Sequence, residues 1–273
     1  MKEVWVNADP WRKALVTTAL EGGADAVVVD PRDVEKVKEL DMSPLEIQSV
    51  RLICIPIMAR DTSDAIQKMA QASAFGDLME IRLDVMEAFD LSEIIRVANK
   101  PVIFTYRSQE EGGEGKIQYD ARVNYLKEAV RLGADYVDVE YAMPPEHRNL
   151  LFDKRGHAKL ILSKHFCNET PSREELADLF REMAATGADV VKIVTHAETA
   201  EDNLSVLGLI PPAVKMGVEI VAFCMGPLGR MSRVACPLLG GAFTFASLKS
   251  GQESASGQVP VKEMKMILET LSP

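Results

Sequence analysis

The stretch ATGADVVKIV, residues 185 to 194, closes one element and opens another. Gly187 stands where a helix should end, and three residues later, at Val190, a run of β-branched residues begins, the composition of a strand covered on both faces. The same punctuation recurs in RLGADYVDVE (131 to 140) and KMGVEIVAFC (215 to 224), so Gly133, Gly187 and Gly217 are expected to cap helices that feed strands. Working outward, the Val/Ile/Phe-rich runs are LICIPIM (52 to 58), LMEIRLD (78 to 84), PVIFTYR (101 to 107), YVDVEY (136 to 141), KLILSKHF (159 to 166), VVKIVTHA (190 to 197), EIVAFCMG (219 to 226) and AFTFAS (242 to 247). Helix-period segments separate them. The alternation predicts an α/β chain whose parallel strands close into a (β/α)8 TIM barrel over residues 51–273. No GxGxxG follows a strand, which argues against an open dinucleotide-binding sheet.

Residues 1–50 are surplus to that count. They read as a βαβα appendage: strand VWV, a helix to Gly22 or Gly23, strand ADAVVVD, and a polar helix around DVEKVKEL, with LDMSPLEIQSV (40 to 50) as linker. The whole chain of 273 residues is 47% apolar, enough for a sizeable core, and carries a net charge of −10. That charge gives no basic footprint for nucleic acid or an anionic membrane, so neither is expected as a partner. No run of 18 apolar residues and no signal-peptide pattern is present, which predicts a cytoplasmic protein. Cys54, Cys167, Cys224 and Cys236 are scattered with no CxxC pair and are expected as reduced, mostly buried thiols.

In a barrel strand the face toward the helices must be apolar, so a charge within the strand points to the centre. Glu80, Arg82 and Asp84 share one face, and Thr105 with Arg107, Asp138 with Glu140, and Ser163 with His165 repeat the pattern. Any one of these reads equally well as half of an interior ion pair. Together they place both signs of charge in one centre, where they must neutralise one another or meet a polar ligand. Lys192, in the middle of VVKIV, is the most informative: buried beside cations such as Arg107 or Arg233 its amine would lose its proton and attack carbonyls, while paired with Asp138 or Glu140 it would be structural. His165 is placed to move a proton across the same centre. His147 and His157 lie in polar connections, and His196 falls beyond the strand centre. No HExxH or paired CxxC is present, and His165 with Cys167 is too sparse to bind a metal.

Seven segments in order resemble the type I 3-dehydroquinate dehydratases of the shikimate pathway, over about residues 51 to 273. They are Glu80-Ile-Arg82-Leu-Asp84, Thr105-Tyr-Arg107-Ser with Glu111-Gly112-Gly113, Asp138-Val-Glu140, Ser163-Lys164-His165-Phe166, Val191-Lys192-Ile193, Met225-Gly226 through Ser232-Arg233, and Ser254-Ala255-Ser256-Gly257-Gln258. The last departs from the family by Ser256 in place of proline. The resemblance implies that Lys192 forms an imine with the C3 ketone of 3-dehydroquinate. His165 removes a C2 proton and protonates the departing C1 hydroxyl, and Glu111 orients His165. Arg233 would take the substrate carboxylate, with Ser254 and Gln258 closing over it, while Glu80, Arg82 and Arg107 would hold ring hydroxyls. Asp138 and Met225 would support the site from behind. A protonated imine is itself an electron sink, so neither metal nor organic cofactor is expected. The expected partner is the small-molecule substrate, with a homodimer left open.

Residues 1–50 resemble the start of the archaeal-type dehydroquinate synthase, which implies a fusion remnant and hints at an archaeal source. A class I aldolase would explain Lys192 but not the Arg233, Ser254 and Gln258 group, and a non-catalytic ligand-binding barrel would not explain the lysine, histidine and glutamate set. A phosphate site could be argued from Gly226, Gly229, Gly240 and Gly241, although helix and strand ends account for those glycines more simply.

Overall fold

The computed structural model describes residues 5–7, 26–28 and 52–271, and the chain divides into two compact units, Met1–Gln48 and Ser49–Pro273. In the first, β1 (Trp5–Asn7) and β2 (Ala26–Val28) pair in parallel, with Val6 opposite Val27. Both expected strands of the appendage are therefore present. Its two expected helices and the linker lie outside the described residues.

The second unit is a (β/α)8 barrel. Its strands are β3 (Leu52–Ile57), β4 (Leu78–Arg82), β5 (Val102–Thr105), β6 (Tyr136–Glu140), β7 (Lys159–His165), β8 (Val190–His196), β9 (Glu219–Met225) and β10 (Phe243–Ser247), each within two residues of its sequence reading at either end. Each pairs in parallel with the next from β3 to β9, and β10 returns to pair with β3. The helices that follow are α1 (Thr62–Ala72), α2 (Leu91–Val97), α3 (Tyr119–Leu132), α4 (Pro145–Phe152), α5 (Arg173–Ala184), α6 (Ala200–Leu207), α7 (Ile210–Lys215), α8 (Arg230–Leu238) and α9 (Val261–Thr270).

The Gly-Ala-Asp punctuation has a double purpose. Gly133, Gly187 and Gly217 adopt φ of +98°, +79° and +69° at the helix ends. The aspartate then pins the neighbouring strand: Asp135 accepts the N–H of Val102 at 2.9 Å, and Asp189 that of Leu160 at 2.8 Å. Without these carboxylates the N–H groups of Val102 and Leu160 would lack a partner at the barrel rim.

α5 shows how the outer layer is held. Ser172 and Glu175 form a reciprocal capping box, and Leu176, Phe180 and Met183 recur on one face and are buried against the barrel. Each such side chain contributes about 1.5–3 kcal/mol of apolar burial, so Phe180→Ala would cost about 3–5 kcal/mol.

The barrel is not closed by a continuous ladder. At the entry to β10 the N–H of Ala242 donates to the carbonyl of Ile220 on β9 at 2.7 Å. At the other end of β10 its free edge is taken by the short β11 (Val259–Pro260), through Ala246 with Val259 and Ser247 with Pro260. The chain between β10 and β11 thus enters the mouth through the seam. Phe223 of β9 and Phe245 of β10 close it from inside, their ring centroids 6.1 Å apart.

Candidate active site

Strand register decides which inward side chains meet. Glu140, Ser163 and Lys192 are direct partners across β6, β7 and β8, and Arg82, Thr105 and Asp138 across β4, β5 and β6. The buried charges form one connected group. Arg107 donates to Asp138 Oδ1 at 2.7 Å, to Ser163 Oγ at 2.9 Å and to Glu140 Oε1 at 3.3 Å. Arg122, reaching in from α3, meets the other oxygen of Glu140 at 3.1 Å. Thr105 donates to Glu80 at 2.9 Å. Isolated charges at this depth would be prohibitively destabilising, and mutual pairing is what permits them.

Lys192 extends into this group. Its Nζ lies 3.1 Å from Asp138 Oδ2, 3.5 Å from Glu80 Oε1 and 4.4 Å from the ring centroid of Phe245. The polar groups in contact with the amine are carboxylates, not the arginines considered from sequence, because Arg107 turns toward Asp138 and Glu140 and Arg233 packs on Phe223. Burial favours the neutral acid of Asp138, but the Arg107 and Lys192 cations outweigh it and hold the group well below the usual carboxylate range. Asp138 therefore binds the lysine, with Ser163 Oγ donating to it at 2.6 Å, and makes no hydrogen bond to His165.

His165 is the last residue of β7. Its backbone N–H donates to Glu111 Oε2 at 3.0 Å and its Nδ1 faces the same oxygen at 3.1 Å. A carboxylate oxygen accepts, so Nδ1 carries the proton and Nε2 keeps its lone pair. Burial, then the Arg107 and Lys192 cations, push His165 well below the ordinary histidine value, so the imidazole is the neutral base near pH 7.

Glu111 is delivered by a turn, Gln109–Glu111, whose start is capped by Ser108 Oγ accepting the N–H of Glu111 at 3.2 Å. The next glycines are required by space: a Cβ on Gly113 would collide with the carbonyl of Arg107. Asp84 secures both ends of this loop, accepting the N–H of Arg107 at 3.2 Å and of Glu114 at 3.0 Å. The same carboxylate holds Arg82 bidentately at 2.8 and 2.7 Å.

Arg233, 1% exposed on α8, is different. No carboxylate meets it among the described residues; Nη2 donates to the carbonyl of Ser256 at 3.2 Å, Nε has no partner, and the guanidinium lies 4.5 Å from the ring centroid of Phe223. Burial pushes its pKa down to about 10, so the guanidinium is still charged near pH 7. A buried cation with an idle donor is a receptor for an anion. Beside it, Ser254 and Gln258 bond reciprocally, Gln258 Nε2 to Ser254 Oγ and Ser254 N–H to Gln258 Oε1, both at 2.9 Å.

These groups line a recess at the C-terminal strand ends, where barrel enzymes place their chemistry. Its wall includes Glu80, Arg82, Arg107, Glu111, His165 and Lys192, and further round Met225, Arg233, Ser254 and Gln258. Of the site residues expected from sequence, Asp138 alone stands behind the wall, through Lys192. Sequence reading gave no role to Phe223 and Phe245, whose alternation with outward residues in EIVAFC and AFTFAS marks them as inward, nor to Ser163, Asp84 and Arg122, whose partners lie on other elements. Among the described residues no group of three or more His, Cys, Asp or Glu side chains could hold a metal ion. All four cysteines are free thiols, with Cys167 the partly exposed one.

A parallel barrel with a buried lysine, a carboxylate-held histidine and a buried guanidinium that no carboxylate meets among the described residues, all at one mouth, has the make-up of a barrel-enzyme active site. Residues 53–273 match the type I 3-dehydroquinase family, and the chain belongs to that family of hydro-lyases. Residues 1–99 also match the 3-dehydroquinate synthase II N-terminal domain, so the two matches overlap over residues 53–99. The chain is 36% identical over 225 residues to a 3-dehydroquinate dehydratase of Methanococcus maripaludis, covering 81% of this chain and all of that protein. It is 38% identical over 224 residues to the chloroplastic bifunctional 3-dehydroquinate dehydratase/shikimate dehydrogenase of Arabidopsis thaliana, covering 80% of this chain and 37% of that protein. A crystal structure of 3-dehydroquinate dehydratase from Geobacillus kaustophilus superposes with a TM-score of 0.73 at 27% identity, covering 81% of this chain and 91% of that one.

Proposed function

We propose that the barrel dehydrates 3-dehydroquinate to 3-dehydroshikimate through an imine on Lys192. The observation that carries this reading is the convergence, in one recess, of a buried amine, a neutral imidazole held by Glu111, and a buried guanidinium that meets no carboxylate among the described residues. The pairing with Asp138 holds Lys192 as an ammonium at rest, so it first releases a proton to water; the free amine then adds to the C3 ketone, whose oxygen takes a proton back from water and leaves as water, giving a protonated imine. That imine acidifies C2, and His165 Nε2 takes the C2 proton to leave an enamine. The enamine electrons return to expel the C1 oxygen, which receives the proton His165 holds and departs as water. Hydrolysis of the imine frees 3-dehydroshikimate and restores the amine.

Asp138 and Glu80 hold the lysine in line, and Arg233 receives the substrate carboxylate. Ser254 and Gln258 close the mouth over it. Arg82 and Arg107 act chiefly through the protein, since Asp84 already occupies the first and Asp138, Ser163 and Glu140 the second. Ser256 leaves the closing loop less rigid than a proline would and removes no functional group.

The same reading assigns the activity to residues 51–273 and treats residues 1–50 as a fusion remnant, which the match to a synthase N-terminal domain supports. It places the enzyme in the cytoplasm, where its thiols stay reduced. Incubation with 3-dehydroquinate, followed by absorbance of the enone product, tests the reaction directly; no enone and no substrate loss would sink it.

A further inference from the structure

Glu111 is held from two sides. Oε2 serves His165, while Oε1 accepts the Nζ of Lys164 at 3.1 Å, and Arg107 Nη1 stands 3.6 Å from Oε2. Lys164 precedes His165 on β7, so strand alternation turns its side chain away from the barrel centre, and it forms no part of the recess wall. It reaches Glu111 from outside, with its Nζ 5.5 Å from the ring centroid of Phe166. The lysine side chain is 25% exposed and Glu111 1%, which makes Lys164 the wet end of a buried pair.

We propose that Lys164 is a positioning residue for the acid–base pair: by sharing the Glu111 carboxylate it fixes that side chain against Nδ1 of His165 and keeps it from stabilising the imidazolium. A carboxylate alone beside Nδ1 would draw a second proton onto the ring, and the ring would then be no base. A carboxylate already neutralised on its other oxygen still orients the ring and adds much less to its proton affinity. The other groups facing His165 are Arg82 on β4, Arg107 after β5, Asp138 on β6 and Lys192 on β8. Glu111 itself faces Arg107 and Lys164, with Glu140 and the Cys167 thiol nearby. Of these, Lys164 can be replaced without touching the recess.

This inference rests on His165 as the acid–base group, so the profile of kcat/KM against pH is measured for the parent enzyme, Lys164→Met, Lys164→Arg and His165→Ala. The methionine variant is expected to shift its acid-side midpoint upward by about half to one pH unit, because a lone carboxylate now favours the protonated ring, so the loss falls on the acid limb and kcat/KM near neutrality stays close to the parent value. KM should move by less than roughly twofold, as no substrate contact is lost. Arginine restores the charge and should return the midpoint to the parent value. An unshifted midpoint in Lys164→Met, or a loss equal at every pH, overturns the role of Lys164 and leaves that of His165 standing. His165→Ala turning over at the parent rate overturns both.

Discussion

Lys192 Nζ and Asp138 Oδ2 lie 3.1 Å apart across two strands of the barrel, and the other oxygen of that carboxylate holds Arg107 at 2.7 Å. One aspartate thus fixes the reacting amine and the main interior cation at once. The lysine side chain, 5% exposed, has little freedom to leave the position from which it meets a carbonyl.

Borohydride added to a mixture of enzyme and 3-dehydroquinate should reduce the imine and leave a covalent adduct on Lys192, located by peptide mass spectrometry. Lys164, the residue before His165 on β7, lies outside the recess and should stay unmodified. Lys192→Ala should abolish turnover while ligand binding stays measurable. An adduct on Lys164, or turnover in Lys192→Ala, contradicts the assignment.

Removal of the imidazole in His165→Ala should lower kcat by about 10²- to 10⁴-fold, the range of general acid–base catalysis, while imine still forms. Rapid quenching with borohydride should therefore trap more adduct at steady state than in the parent enzyme. Equal rates would move the proton shuttle elsewhere, with Glu111 the next candidate.

Arg233→Met removes a buried cation that no carboxylate meets among the described residues and replaces it with an unbranched apolar side chain. The melting temperature without ligand should be at least that of the parent, because an unpaired buried charge is destabilising. Substrate should protect this variant far less against melting, and KM should rise more than kcat falls. An unchanged KM would place the carboxylate on another arginine.

Asp138→Asn should lower stability by about 3–5 kcal/mol, since it strands Arg107 and Lys192 without their common carboxylate. Its pH dependence is informative. Asp138 is held below its ordinary value of 3.8, so its contribution is complete above that value and is lost as the pH falls toward and through the folded pKa. Urea midpoints between pH 7 and pH 3 should fall less steeply on the acid side for the variant than for the parent.

A chain beginning at Arg51 should fold and dehydrate 3-dehydroquinate with the parent kcat, because β3–β10 and every proposed site residue lie beyond that point. Circular dichroism and the enone assay distinguish a folded active barrel from a collapsed one. An unfolded product would mean that the appendage contributes to the barrel.

Sequence by itself determined the architecture, because strand period and glycine punctuation are local: VVKIV can bury both faces only in a covered parallel sheet, and the glycine before it ends the preceding helix. It also determined which side chains face inward, since alternation along MEIRL or VVKIV depends on no partner. The identity of Lys192 and His165 as the central pair was legible for that reason. What those side chains touch was not. Whether Lys192 meets arginines or carboxylates depends on the register of four strands, which sets Asp138 rather than a cation beside its amine. That Asp84 ties down the loop after β5, that Arg122 reaches Glu140 from a helix, and that Arg233 meets no carboxylate among the described residues are likewise matters of separate elements meeting in space. Ion pairs between residues tens of positions apart leave no periodic trace in the chain; tertiary structure alone decided them, because Coulombic pairing depends on distance in space and not on separation in sequence.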